Sequence, residues 1–196
     1  MTGMENKATR SVLLVGVGGQ GTILASKLLT LGLLQAGYDV KMSEIHGMSQ
    51  RGGSVSSQVR SGARVLAPVI ERGGADVLVS FELMEALRWL DYLKPEGRVV
   101  VNNFRLPPMP VITGQAAYAE DIAAQLQAAA NTSVVDAAAM ADALGNPRVM
   151  NIVLLGTIVK AMGLTDIDWD QIIRANVKPA FVEVNIQAIH KGMASV

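Results

Sequence analysis

The first hydrophobic run, Ser11 to Val17, is continuous rather than alternating and is rich in β-branched residues. A strand covered on both faces has this pattern, so the segment predicts a central strand. Leucine, isoleucine and alanine then recur at helical spacing from Thr22 to Gln35, and Gly37 supplies the stop. Tyr38 to Met42 alternates with period two and is expected to return parallel to the first strand, closing a right-handed βαβ unit.

Further along, Ser54 to Arg60 sets Val55 and Val59 against polar partners, and a Ser-Gly-Ala turn leads to a short Arg64 to Leu66 strand. The pair predicts a β-hairpin, and with it a mixed sheet. Ala75 to Ser80 and Arg98 to Asn102 read as buried strands on either side of an amphipathic helix, Phe81 to Leu93, with Leu83, Ala86, Leu87 and Leu90 on one face. A proline-rich loop, Leu106 to Pro110, precedes an alanine-rich helix, Ala117 to Ala130, and a short strand, Ser133 to Val135. Asn146 and Pro147 open a helix from Arg148 to Met162 that is apolar around nearly its whole circumference. One small domain rarely buries a helix on all sides, so part of this surface is expected to meet another subunit. Trp169 to Gly192 is helical with a break at Pro179. The sum is an α/β chain: a three-layer α/β/α Rossmann-like domain over residues 11–196, with a mostly parallel but mixed sheet, extra C-terminal helices and a disordered lead-in at residues 1–10.

Composition narrows the chemistry more than the fold. Half of the 196 residues are apolar, enough for one core without disulfide or metal support. Seventeen basic residues balance seventeen acidic ones and no half of the chain is markedly basic, so neither nucleic acid nor an anionic membrane is indicated as a partner. The opening stretch MTGMENKATR lacks an apolar core, and no apolar run nears the ~20 residues of a transmembrane helix, so a cytoplasmic location is expected. With no cysteine, the chain offers no disulfide, no thiolate nucleophile and no ligand for an iron–sulfur cluster. Its two histidines, His46 and His190, lie far apart in sequence, so no metal site is assigned. Spacing assembles no Ser-His-Asp set, paired-carboxylate site or Walker loop, and no residue is assigned a catalytic role on this chain.

Two stretches carry candidate chemistry. Gly16, Gly18 and Gly21 satisfy G-x-G-x-x-G between strand and helix, and with Gly19 and Gln20 they form a candidate phosphate cradle at a helix N-terminus. A tight strand-to-helix turn needs glycine even where nothing binds, so a steric reading stands beside it. The acidic residue that a ribose would need is Glu44. The second stretch, Ser43 to Gly53, has neither helical nor strand period. It gathers His46, a side chain that can carry or give up a proton, Gln50, able to fix a carbonyl, Arg51, able to grip a carboxylate or phosphate, and Gly52 and Gly53, which permit close approach. Each of these taken alone also has an ordinary structural reading; their clustering marks a substrate-proximal or interface surface. Glu82 and Glu85 suit the dipole at a helix start, with Glu82 a minor ligand candidate, and His190 suits a helix end.

The segments LLVGVGGQGTILASKLL, DVKMSEIHGMSQRGGSVSSQVRSG and ADVLVSFELMEALRWLDYLKPEGRVVVNN, with the closing PAFVEVNIQAIHKGM, span about residues 11 to 192. Together they closely resemble the γ-type domain of 2-oxoacid:ferredoxin oxidoreductases, and within that family the small, β-type subunits of the indolepyruvate branch. The resemblance implies a heteromeric enzyme that oxidatively decarboxylates an aryl 2-oxoacid to an acyl-CoA, with coenzyme A as co-substrate and ferredoxin as electron acceptor. Thiamine diphosphate, magnesium and the iron–sulfur clusters would reside on a larger α subunit, and this chain would bind none of them. The segment with His46, Gln50 and Arg51 would then face the active-site side or the subunit junction. Pyruvate, 2-oxoisovalerate or 2-oxoglutarate stay open as substrates, as does homodimerisation of the isolated chain. Two other readings also stand: a stand-alone dinucleotide-binding dehydrogenase and a non-catalytic scaffold.

Overall fold

The structure, a computed structural model, describes residues 8–46 and 52–196. Its six-stranded sheet is built from β1 (Arg10–Val17), β2 (Asp39–Ile45), β3 (Ser54–Gly62), β4 (Ala75–Ser80), β5 (Leu93–Asn102) and β6 (Asn131–Val135), ordered β2-β3-β1-β4-β5-β6. β1, β4, β5 and β6 run parallel, while β3 is antiparallel to both of its neighbours, β1 and β2. The sheet is therefore mixed, as expected.

Alternate residues of the central strand feed two separate cores. Val12 and Leu14 belong to one apolar cluster and Leu13 and Val15 to the other, all fully or almost fully buried. Over the first face lie α1 (Thr22–Gln35), α5 (Ala137–Ala143), α6 (Met150–Ala161), α7 (Trp169–Asn176) and α8 (Val182–Met193). Over the second lie α2 (Leu83–Arg88) and α4 (Ile122–Ala129). The short α3 (Met109–Ile112) stands off the sheet, with Met109 and Ile112 exposed. This is the three-layer α/β/α architecture.

Several local expectations are corrected. β2 runs in the direction of β1, but β3 is inserted between them, so the βαβ unit does not pair its own strands. Arg64–Leu66 is not a strand, because β1 and β2 already occupy both edges of β3. Val65 N–H instead donates to Asp39 Oδ2 at 2.7 Å, and Arg60 turns out to the Ala67 and Val69 carbonyls. The helix expected over 81–93 is shorter: α2 ends at Arg88, a 3-10 turn follows at Leu90–Tyr92, and β5 begins at Leu93. The helix expected from Ala117 starts only at Ile122, after Asp121 in a left-handed conformation (φ 50°). Arg10, placed in the lead-in, is the first residue of β1.

The all-round apolar helix has a solution within the chain. Every residue of α6 from Asn151 to Val159 is buried, and α8 crosses it at glycine. A Cβ on Gly192 would lie 1.9 Å from Val153 O, and one on Gly156 would lie 2.2 Å from Ile189 O. Backbone meets backbone there, and the face assigned to another subunit is covered by α8 instead.

Candidate functional site

The carboxyl ends of β1, β4 and β5 converge on one edge of the sheet, where the glycine turn joins β1 to α1. In parallel α/β sheets ligands collect at this edge. The turn is organised by Gln20. Val17 N–H donates to Gln20 Oε1 at 2.8 Å, and Gln20 Nε2 donates to Phe81 O at 3.1 Å, so one side chain ties the end of β1 to the end of β4. Gly16 is required by this: its Cβ would sit 2.8 Å from Gln20 Oε1 and 2.9 Å from Phe81 Cβ. Gly21, at φ 82°, accepts from Asn151 Nδ2 on α6 at 3.2 Å, and a Cβ there would lie 2.6 Å from that nitrogen. Gly18 N–H donates to Gly53 O at 2.9 Å. A Cβ on Gly19 would meet nothing within 4 Å. The steric reading thus accounts for Gly16 and Gly21, and Gln20 faces inward as a tie.

His46 is half-exposed at the end of β2, its Nε2 3.6 Å from the Glu44 carboxylate. Glu44 also accepts from Ser26 Oγ on α1 at 3.0 Å, so the residue considered for a ribose is bound to the neighbouring helix. Gln50 and Arg51 lie outside the described residues. Gly52, at φ 83°, and Gly53 are described, and Gly53 is brought to Gly18. His190 sits on the far side of the helical layer and faces Asp170 at 2.8 Å.

Two carboxylates expected as dipole partners, Glu82 also as a minor ligand candidate, make further bonds. Glu82, 1% exposed, caps α2 by accepting Glu85 N–H at 2.9 Å. Its other oxygen accepts Leu106 N–H at 3.1 Å and the Tyr118 hydroxyl, pinning both ends of the 106–118 segment to one buried group. Burial first, then the Glu82 hydrogen bond and charge, push the Tyr118 phenol above its ordinary range, and Arg105 lies 5.5 Å over its ring. Glu85, 5% exposed, accepts from Ser54 Oγ at 2.5 Å and pairs with Arg88 at 3.5 Å. Nearby, fully buried Asn102 donates to Phe81 O at 3.2 Å and accepts Ala137 N–H at 3.0 Å, fastening β5 to the end of β4 and the start of α5. A polar residue closing the apolar run of β5 was a signal for Asn102; no local pattern marks the Ser54–Glu85 contact.

Between these anchors lies a groove of about 710 Å³. Gly18, Gly19, Gln20 and Gly52 form one wall, and Phe104, Leu106, Pro107, Pro108, Met109 and Ile112 form the other. None of these lining residues is ionisable. Among the described residues the groove offers peptide groups on one side and apolar surface on the other. Among the described residues no group of three or more His, Asp or Glu side chains is placed to hold a metal.

Comparison with known proteins gives this geometry its context. Residues 11–195 match the family model for pyruvate ferredoxin/flavodoxin oxidoreductase. The chain belongs to the pyruvate ferredoxin/flavodoxin oxidoreductase family. Within it, the chain is 39% identical over 189 residues to indolepyruvate oxidoreductase subunit IorB of Pyrococcus horikoshii, covering 93% of this chain and 94% of that one. The subunit of the same name from Thermococcus kodakarensis is 37% identical over 195 residues, with 93% and 94% covered. In fold the chain is similar to the γ subunit of a keto/oxoacid ferredoxin oxidoreductase from Geobacter sulfurreducens, with a TM-score of 0.72, 22% identity and 96% of each chain covered. A 2-oxoglutarate:ferredoxin oxidoreductase from Magnetococcus marinus, solved with 2-oxoglutarate, coenzyme A and succinyl-CoA bound, gives a TM-score of 0.72 at 19% identity. The match covers 97% of this chain and 31% of that one, so this family fold also occurs as part of a much longer polypeptide.

Proposed function

We propose that this chain is the small subunit of an indolepyruvate-type 2-oxoacid:ferredoxin oxidoreductase, which converts an aryl 2-oxoacid to an acyl-CoA and passes the electrons to ferredoxin. The reading is carried by the near-full-length likeness to subunits named for indolepyruvate oxidoreductase, at up to 39% identity. The chain's own chemistry supports the division of labour. It has no cysteine to ligate an iron–sulfur cluster, and among the described residues the lining of its groove has no acid, base or nucleophile. Thiamine diphosphate, magnesium and the clusters are assigned to a larger partner subunit, which supplies the decarboxylation and electron-transfer chemistry. This chain's part is to shape the approach to that centre. The Gly18–Gln20 turn, Gly52 and the 104–112 segment are the surface it would present, together with His46, Gln50, Arg51 and Gly53. A cytoplasmic location follows from this assignment, and no helix among the described residues is long and apolar enough to cross a membrane.

Purified alone, the chain is expected to contain no thiamine and no iron, and to co-elute with the thiamine-bearing subunit when the two are mixed. Stoichiometric iron in the isolated chain, or separate elution of the two, would contradict the assignment.

A further inference from the structure

Two carboxylates three residues apart, Glu82 at the N-cap of α2 and Glu85 in its first turn, hold opposite walls of the same groove. Glu82 holds the 104–112 wall through Leu106 N–H, at 3.1 Å, and Glu85 holds the other through Ser54 Oγ, at 2.5 Å. Burying an ionised carboxylate is costly unless bonds replace its water. A helix-dipole role would leave Glu85 exposed at the surface; instead it is 95% buried, with Ser54 and Arg88 as its compensating partners. Ser54 is the first residue of β3 and directly follows Gly52 and Gly53. These glycines have little conformational preference of their own, and Gly52 sits at φ 83°. The course of this wall is therefore set from outside, by Gly18 N–H on Gly53 O and by Glu85 on Ser54. A small, largely enclosed cavity of about 50 Å³ between the carboxylates is lined by Gly52, Ser54, Glu82, Glu85, Arg88 and Leu106, placing both walls and both acids around one void.

We propose that Glu85 is a positioning residue: acting through Ser54, it fixes the Gly52–Ser54 wall relative to the wall held by Glu82, and so sets the groove that the partner's substrate passes. This rests on the assignment of the chain as a subunit of the oxidoreductase. Glu85 touches no reacting atom. It determines where the groove's backbone stands.

The test uses the complex reconstituted from the full chain and the thiamine subunit, with Glu85→Ala, Glu85→Gln, Ser54→Ala and the double Ala variant. Glu85→Ala and Ser54→Ala are each expected to raise KM for the 2-oxoacid by roughly ten-fold, leaving kcat within about three-fold and KM for ferredoxin unchanged. A loss of folded protein alone would lower kcat and leave KM in place. The double variant should be no worse than either single one, since both break one contact, and Glu85→Gln, which keeps an acceptor for Ser54, should recover most of the KM. If Glu85→Ala does not fold, Ser54→Ala and Glu85→Gln carry the measurement. Unchanged KM in assembled Ser54→Ala complex, or effects of the two Ala substitutions that multiply, would overturn the positioning role alone. Failure of the wild-type chain to restore turnover would overturn the subunit assignment and this role with it.

Discussion

The two faces of the sheet are covered in opposite ways. On the α1, α6 and α8 side, long helices close over a continuous apolar core, and at Gly156 and Gly192 the backbones of α6 and α8 come into direct contact. On the α2 and α4 side the helices are short and the apolar cluster is smaller, and its outer segments are held by buried polar groups, chiefly Glu82 and Glu85. Non-directional apolar packing makes the first face a scaffold. Directional bonds to loop backbone make the second a template for the groove, where a displaced wall costs function before it costs the fold.

Substitutions can break this comparison, beginning on the scaffold side. Gly192→Ala inserts a methyl group where the Val153 carbonyl stands 1.9 Å away, so α8 must lift from α6. Overpacking against backbone should lower unfolding free energy by about 3 kcal/mol, measured by urea titration. A stability within 0.5 kcal/mol of wild type would show the crossing to be looser than described. On the template side, Glu82→Ala removes the cap of α2 and leaves Leu106 N–H and the Tyr118 hydroxyl without their acceptor. A loss of about 2 kcal/mol is expected, with hydrogen-exchange protection falling first in the 106–118 segment. Uniform loss across the domain would deny the separation of the two faces. The smallest effect belongs to Tyr118→Phe, at about 0.5 to 1 kcal/mol for a partly exposed hydroxyl. In the folded protein this phenol holds its proton more tightly than in the unfolded chain, through burial and Glu82. Its contribution is therefore complete below about pH 10 and declines as pH rises beyond it. Wild type should lose stability with rising alkalinity more steeply than Tyr118→Phe; parallel slopes would show that the phenol is not coupled to Glu82.

How much was legible in the amino-acid pattern follows the range of the interactions. β1, α1 and the helix at Met150 were readable because each is a long run whose period is decided by its own residues. The insertion of β3 between β2 and β1 was not, since it depends on pairing across the turn, and the Arg64–Leu66 hairpin failed because β3 had no free edge. The covering of α6 by its own chain was hidden for the same reason, although a glycine inside each of the two helices was a hint of close crossing. At the candidate site, both glycine-bearing stretches were marked by their composition, but the contact that joins Gly18 to Gly53 was not. Gln20 was placed with a phosphate, whereas its amide turns back to join two strands. Ser54 and Glu85 lie 31 positions apart, and neither residue type announces the other.

The claim on which the rest depends is that this chain completes a catalyst it does not itself contain. It is tested most directly by following 2-oxoacid-dependent reduction of ferredoxin with the chain alone, the thiamine subunit alone and the two combined, in the presence of coenzyme A. The chain alone should give no turnover, and its addition should raise that of its partner until the two are equimolar. Turnover by the isolated chain, or no response of the thiamine subunit to its addition, would contradict the account.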